Sequence, residues 1–367
     1  MSDLVLRYAA SRAVSRIRIA SGSLDHTGAF VRGTTRARHA AVVSDEHVAA
    51  LYGSRVLRSM RRAGIQAGLI VVRHGERSKR SATLERLWNA LADLGLPRQG
   101  AVVALGGGVV GDLAGFAASS WLRGVPWVGV PTTVLAQVDS SVGGKTGIDL
   151  GTGKNLVGAF HQPAGVLVDP DVLQTLSARE RRAGLAEVVK MGMACDAGLF
   201  AWTERHVAAL SAGDRRALAR AVARSIRVKA RVVARDERER EGGGRTALNF
   251  GHTLAHAIES ARGYRGIRHG EAVAIGMRAA ARLSERVAGL DRSALERLDR
   301  VLDALGLPRR MRSTPLADVL AAMRSDKKRG RSGPRWVLTP RIGHASVPRL
   351  MSGRLVRAVV LDAGARD

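Results

Sequence analysis

Cysteine is almost missing from this chain: Cys195 stands alone among 367 residues. One thiol excludes an intrachain disulfide and fits a reducing compartment, so a cytoplasmic protein is expected. Its setting, Met193-Ala194-Cys195-Asp196, offers no paired histidine, which argues against a nucleophilic role. Aromatic residues make up only 4% of the chain, leaving few stacking platforms for single-stranded nucleic acid. No run of about 18 apolar residues exists, so no membrane span is expected. Arg7, Arg12, Arg16 and Arg18 near the N-terminus have no apolar stretch behind them, unlike a secretory signal. Lysine is the other scarcity. Only seven of the 59 cations are lysines, and the arginines are spread along most of the chain. A net charge of +27 would ordinarily suggest nucleic acid, but even scatter of arginine is a compositional habit and not a binding stripe. No nucleic-acid partner is expected; a small anionic substrate is the better use of the positive field. Where arginine is the default, each surviving lysine marks a place that needs a compact ammonium and rejects a planar guanidinium. The seven are Lys79, Lys145, Lys154, Lys190, Lys229, Lys327 and Lys328.

What is present divides the chain in two, as its length suggests. β-Branched apolar runs at 40–43, 69–72, 101–105, 125–130 and 166–168 predict buried strands. Helical patterns at 47–63 and 81–94 fall between them, so the first half predicts a doubly wound, mostly parallel α/β sheet of Rossmann type. Beyond about residue 177 the period is helical, over 178–194, 215–236, 248–261, 270–288 and 293–305. A mainly α-helical second domain is expected, with domains at 1–174 and 175–367 and a loop over 237–244.

Strand 101–105 runs into Gly106-Gly107-Gly108-Val109-Val110-Gly111-Asp112 and then a helical stretch. Glycines after a strand let the backbone approach a phosphate, and the helix start offers free N–H groups. Pro131-Thr132-Thr133 follows another strand and could offer hydroxyls to the same ligand. The run from Gln137 to Gly147, with Asp139 and Lys145, and the nearby Gly153-Lys154-Asn155 could form a polar pocket for a phosphorylated polyol. Gly143-Gly144-Lys145-Thr146 is similar to the end of a P-loop, but the first glycine of that motif is missing at its required spacing, which excludes a nucleotide triphosphatase. In the helical half, Glu187 and Lys190 share one face and His252 and His256 another, with His269 close behind. Three histidines and a carboxylate suit a divalent transition metal such as zinc, and spacing alone leaves open which of them bind.

The stretches GGGVVGDLAGF, RGVPWVGVPTTVLAQVDSSVGGKTG, GKNLVGAFHQP, AGLAEVVK, LNFGHTLAHAIE, HGEAVAIGM and SDKK occur in the order found in the 3-dehydroquinate synthase family, within the sugar phosphate cyclases. The chain resembles that family from roughly Ile17 to Val347, and the motifs together are highly specific. The resemblance implies the dehydroquinate synthase-like fold, NAD, a divalent metal (zinc or cobalt) and a homodimer. It implies Glu187, His252 and His269 as metal ligands, with His256 turned to the substrate phosphate. NAD would be held by Glu76, Lys79, Gly107, Gly108, Val109, Val110, Gly111, Asp112, Thr132 and Thr133, with Lys145, Lys154, Val172, Leu173, Gln174 and Thr175. Asp139, Lys145, Lys154, Asn155, Lys190, Lys229, Arg245, Asn249, His256 and Lys327 would surround the substrate, with Arg123 lent across a dimer interface. Lys229 and Arg245 would take its carboxylate, and Lys145, Asn249, His256 and Lys327 its phosphate. Asp139, Lys145, Asn155, Lys190 and His256 would take part in catalysis. The implied reaction is conversion of 3-deoxy-D-arabino-heptulosonate 7-phosphate to 3-dehydroquinate by transient oxidation, β-elimination of phosphate, reduction and aldol closure. The sequence departs from the family pattern at His74, Asp149, Met191 and Ala255, and the Lys229–Arg245 span is two residues longer than usual. An aminodehydroquinate or other cyclitol synthase of the same superfamily, or a metal-dependent polyol dehydrogenase, are the alternatives.

Overall fold

The structure, a computed structural model, describes residues 1–8, 10–151, 153–240, 244–312, 314–325, 334–346 and 348–367. Lys327 and Lys328 lie outside the described residues. Two compact units divide at Leu176/Ser177.

The first unit, Met1–Leu176, holds the strands β1 (Ser2–Arg7), β2 (Val14–Ile19), β3 (His39–Asp45), β4 (Gln66–Val72), β5 (Ala101–Gly106), β6 (Trp127–Pro131), β7 (Lys145–Leu150), β8 (Gly153–Phe160) and β9 (Gly165–Val168). Seven of them form one sheet in the order β1-β2-β9-β6-β5-β3-β4, parallel except for the edge strand β1. β5 explains why its sequence is an unbroken apolar run. Ala101, Val103 and Leu105 pack into the core on one face, and Val102 and Ala104 into the core on the other. Helices Thr27–Thr35 and Ser54–Arg62 cover the first face, and Ser81–Asp93 and Gly108–Ser120 the second. The chain leaves β3 outward to β4, then crosses back to β5 and proceeds to β6. The strand order therefore reverses between β3 and β5, where a doubly wound sheet opens a crevice at its carboxyl ends. β7 and β8 make a separate antiparallel hairpin, with Lys145 opposite Phe160. Gly158 is obligatory there, because a Cβ would stand 2.0 Å from the carbonyl oxygen of Thr146.

The second unit, Ser177–Asp367, is mainly helical, and its described residues add only short two-residue strand pairs. Helix Ala178–Cys195 begins at Ser177, whose hydroxyl accepts from the Glu180 amide, and it is buried from Ala183 to Ala194. Helix Arg215–Arg235 shows how the arginines are spent: Leu218, Val222, Ile226 and Val233 face inward, while Arg216, Arg220, Arg224, Arg227, Arg231 and Arg235 are exposed. Lys229 is the exception among its cations and lies on the buried side. No described helix is long and apolar enough to cross a membrane.

Candidate active site

The carboxyl end of β5 turns through Gly106 and Gly107 into helix Gly108–Ser120. Gly106 and Pro131 pair across β5 and β6, and the Thr132 amide donates to the Gly106 carbonyl at 3.0 Å, so the glycine loop and Pro131–Thr133 lie side by side. A Cβ at Gly107 would meet the Thr133 methyl at 3.2 Å, and one at Gly106 would stand 2.6 Å from Val110. The loop is glycine because its neighbours already fill the space. Thr133 spends its hydroxyl on the Ala136 amide at 3.1 Å, but the buried Thr132 hydroxyl has no hydrogen-bond partner. A buried, unsatisfied hydroxyl beside a helix start is a fit for a polar ligand. Val172–Thr175 lie in a 3₁₀ turn tied to the Tyr52 hydroxyl, which donates to the Val172 carbonyl at 3.2 Å and bonds the Thr175 hydroxyl at 2.9 Å.

Glu76, Lys79, Asp112, Lys154 and Asn155, scattered over 80 residues of sequence, converge on one polar cluster. Lys79 is buried, with its ammonium 2.8 Å from Asp112, 3.7 Å from Asp149 and 4.0 Å from Glu76, and it donates to the Asn155 side chain. Lys154 sits 3.0 Å from Glu76. Burial pulls the Lys79 pKa down, but Asp112, Glu76 and Asp149 outweigh it, so the ammonium titrates above its ordinary value. Burial pushes Asp112 and Asp149 above the usual carboxylate range, with Lys79 opposing. Asp149 was not among the expected site residues, yet it accepts from the Asn155 amide at 2.8 Å and helps hold Asn155 in a left-handed backbone (φ 53°). Sequence pattern marked Asp149 only as a departure from the family. Elsewhere in this unit Asp139 is half-buried in the π-turn Ala136–Ser140, and Lys145 is exposed at the start of β7. Arg123 is exposed and, like Leu122 before it, has a left-handed backbone (φ 65° and 47°).

In the helical unit the metal-ligand types meet. Ligand atoms of Glu187, His252 and His269 all lie within 4.8 Å of one another, and His256 does not join this group. The Glu187 Oε1 atom is 3.6 Å from His269 Nε2 and 3.9 Å from His252 Nε2. Tetrahedral zinc with bonds of about 2.0–2.1 Å needs ligand atoms about 3.4 Å apart, so a small contraction would seat the ion. Glu187 is 0% exposed and Oε1 has no hydrogen-bond partner, while Lys190 is ion-paired with Oε2. A buried carboxylate oxygen left in this way fits a cation. Burial would lower the His269 pKa, but Glu259 and Glu187 push it up to about 10, so an incoming ion must displace a proton. The approach of the three helices rests on glycine. A Cβ at Gly270, beside His269, would lie 1.7 Å from the Ala183 carbonyl oxygen, and one at Gly276 would lie 2.0 Å from that of Gly251, beside His252.

Lys229 and Arg245 are both buried, and the Arg245 guanidinium donates to the Glu237 carbonyl. The Asn249 amide donates to the Glu239 side chain. Across the chain, three of the five described lysines (Lys79, Lys190 and Lys229) are buried, against two buried arginines, Arg245 and Arg278. The scarce cation is the one placed inside.

Comparison with known proteins gives the chain a family. The family models described as 3-dehydroquinate synthase N-terminal and 3-dehydroquinate synthase C-terminal match residues 69–183 and 184–329. The 3-dehydroquinate synthase of Citrifermentans bemidjiense is 47% identical over 334 residues, covering 91% of this chain and 92% of its own. Among solved structures, 2-deoxy-scyllo-inosose synthase complexed with carbaglucose-6-phosphate, NAD+ and Co2+ superimposes with a TM-score of 0.90 at 24% identity, over 99% of this chain and 100% of that one. The 2-epi-5-epi-valiolone synthase of Streptomyces hygroscopicus subsp. jinggangensis, with NAD+ and Zn2+ bound, gives 0.86 at 28% identity, over 96% and 97% of the two chains. Identity approaching one half over nine-tenths of both chains extends well beyond a shared fold, and the chain belongs to the 3-dehydroquinate synthase family.

Proposed function

We propose that this enzyme converts 3-deoxy-D-arabino-heptulosonate 7-phosphate to 3-dehydroquinate and inorganic phosphate, acting as a cytoplasmic homodimer and a carbon–oxygen lyase. The observation that carries the reading is the convergence of Glu187, His252 and His269, with the family membership behind it. In this reading the first unit is the NAD-binding domain and the second holds metal and substrate groups. NAD held by the first unit would supply reversible hydride transfer, and a zinc or cobalt ion held by Glu187, His252 and His269 would supply Lewis acidity.

The chain's own residues do the rest. The glycine loop Gly107–Asp112 and the free Thr132 hydroxyl receive the nucleotide, aided by Glu76, Lys79, Thr133, Lys145, Lys154 and Val172–Thr175. Lys229 and Arg245 hold the substrate carboxylate. Lys145, Asn249, His256 and Lys327 hold the phosphate, which leaves by β-elimination. Asp139, Asn155 and Lys190 hold the polyol hydroxyls by hydrogen bonds and charge, and Arg123 serves the substrate of a second copy. Clamping both anionic ends restricts the open-chain intermediate to conformers that can close by aldol addition, an entropic advantage. The burial of both Lys229 and Arg245 supports an acidic heptulosonate over a neutral sugar phosphate.

The test is phosphate release from the heptulosonate phosphate with catalytic NAD, with and without chelator. Stoichiometric phosphate without net NADH, abolished by chelator and restored by zinc or cobalt, is expected. Net NADH production without phosphate release would replace the cyclase with a polyol dehydrogenase.

A further inference from the structure

The backbone of His269 is fixed at the first position of its helix. The Glu271 side chain accepts from the Arg268 amide at 2.9 Å, and Arg179 grips Glu271 through two bonds of 2.6 and 2.8 Å. Fixing the backbone does not decide which imidazole nitrogen carries the proton or which way the ring faces. Glu259 meets that need. It is 4% exposed, and its Oε2 lies 3.1 Å from His269 Nδ1 while His269 Nε2 points to Glu187 Oε1 at 3.6 Å. A carboxylate this deep is costly unless it is paired with a hydrogen-bond donor.

We propose that Glu259 is a positioning residue: by accepting the Nδ1–H of His269 it leaves Nε2 as the ligand nitrogen aimed at Glu187. His252 and Glu259 stand on one helix, His252–Ala261, so the same rigid rod carries one direct ligand and the group that orients the other. The proposal rests on the metal site described above.

The test is zinc titration of metal-free protein against a chromogenic chelator, for the wild type, His269→Ala, Glu259→Ala and the isosteric Glu259→Gln, with cobalt absorption spectra of each. Stoichiometric zinc in the wild type and its loss in His269→Ala establish the site itself. Glu259→Ala is expected to weaken zinc by about 10–100-fold and to alter the cobalt bands. Glu259→Gln, whose amide oxygen still accepts from Nδ1, is expected to recover part of that affinity. A folded Glu259→Ala that binds zinc as tightly as the wild type, with an unchanged cobalt spectrum, overturns the proposal while leaving the metal site standing. Should Glu259→Ala fail to fold, Glu259→Leu, which fills the space but offers no acceptor to Nδ1, decides: a cobalt spectrum and zinc affinity identical to the wild type overturn it. A wild type without stoichiometric zinc overturns both.

Discussion

Replacing Lys79 with methionine should weaken the sheet unit by an amount that follows from the contacts. The ammonium neutralises Asp112, Asp149 and Glu76 at 2.8, 3.7 and 4.0 Å. Removing one partner of a fully buried ion pair costs about 3–5 kcal/mol. Here the carboxylates keep 22%, 16% and 35% of their side-chain exposure, and Lys154 remains beside Glu76. Solvent and the second lysine discount the cost to about 2–3 kcal/mol. For a unit of this size that is a fall in Tm of about 5–10 °C, read by circular dichroism on nucleotide-free protein. Its pH dependence has a definite sign. Asp112 and Asp149 already titrate above their ordinary range, and losing Lys79 raises them further. A carboxyl whose folded pKa exceeds its unfolded one favours the folded state when protonated, so the deficit of the variant should shrink as pH falls from 7 toward about 5. Lys79→Arg should recover less than half of the loss, because the guanidinium is too broad for the pocket. A deficit below about 1 kcal/mol, or one that does not change with pH, refutes the account of this cluster as a buried charge balance.

Three further substitutions probe the rest. Gly270→Ala must push its helix from Ala183 and is expected to cost about 1–3 kcal/mol and to lower the bound metal measured by elemental analysis. Thr132→Val removes a hydroxyl that has no internal partner, so unfolding should be unchanged or slightly later while NAD titration shows about 5–10-fold weaker binding. Lys229→Ala and Arg245→Ala should each lower kcat/KM for the carboxylated substrate by about 10–100-fold in the phosphate-release assay. Unchanged kinetics in both would remove the reason for choosing an acidic substrate.

Elements whose apolar residues follow one period could be read directly. β5 is buried on both faces, and its sequence is correspondingly featureless; helix Arg215–Arg235 alternates inward aliphatics with outward arginines and shows its period plainly. β1 and β2 were not expected: Arg16 and Arg18 alternate with the buried Ser15, Ile17 and Ile19, and a strand with arginine on its solvent face resembles a polar leader. The hairpin β7–β8 was hidden because its glycines are demanded by backbone contact and its polar residues by the cluster, leaving little apolar pattern. Among the site groups, lysines were legible because arginine is the background. The metal-ligand types were evident, but choosing among four candidates depended on the family resemblance. Asp149 and Glu259 were not anticipated, since one more acid in a chain with 32 of them carries no signal until its neighbours are known.

The scarcity and burial of lysine have a practical corollary for amine chemistry. Among the described lysines only Lys145 is exposed and Lys154 half-open, while Lys79, Lys190 and Lys229 are enclosed. An acylating or reductively methylating reagent should therefore mark the folded protein at very few points, two of them on the β7–β8 hairpin, and mass tags there would report occupancy of that hairpin without any engineered label.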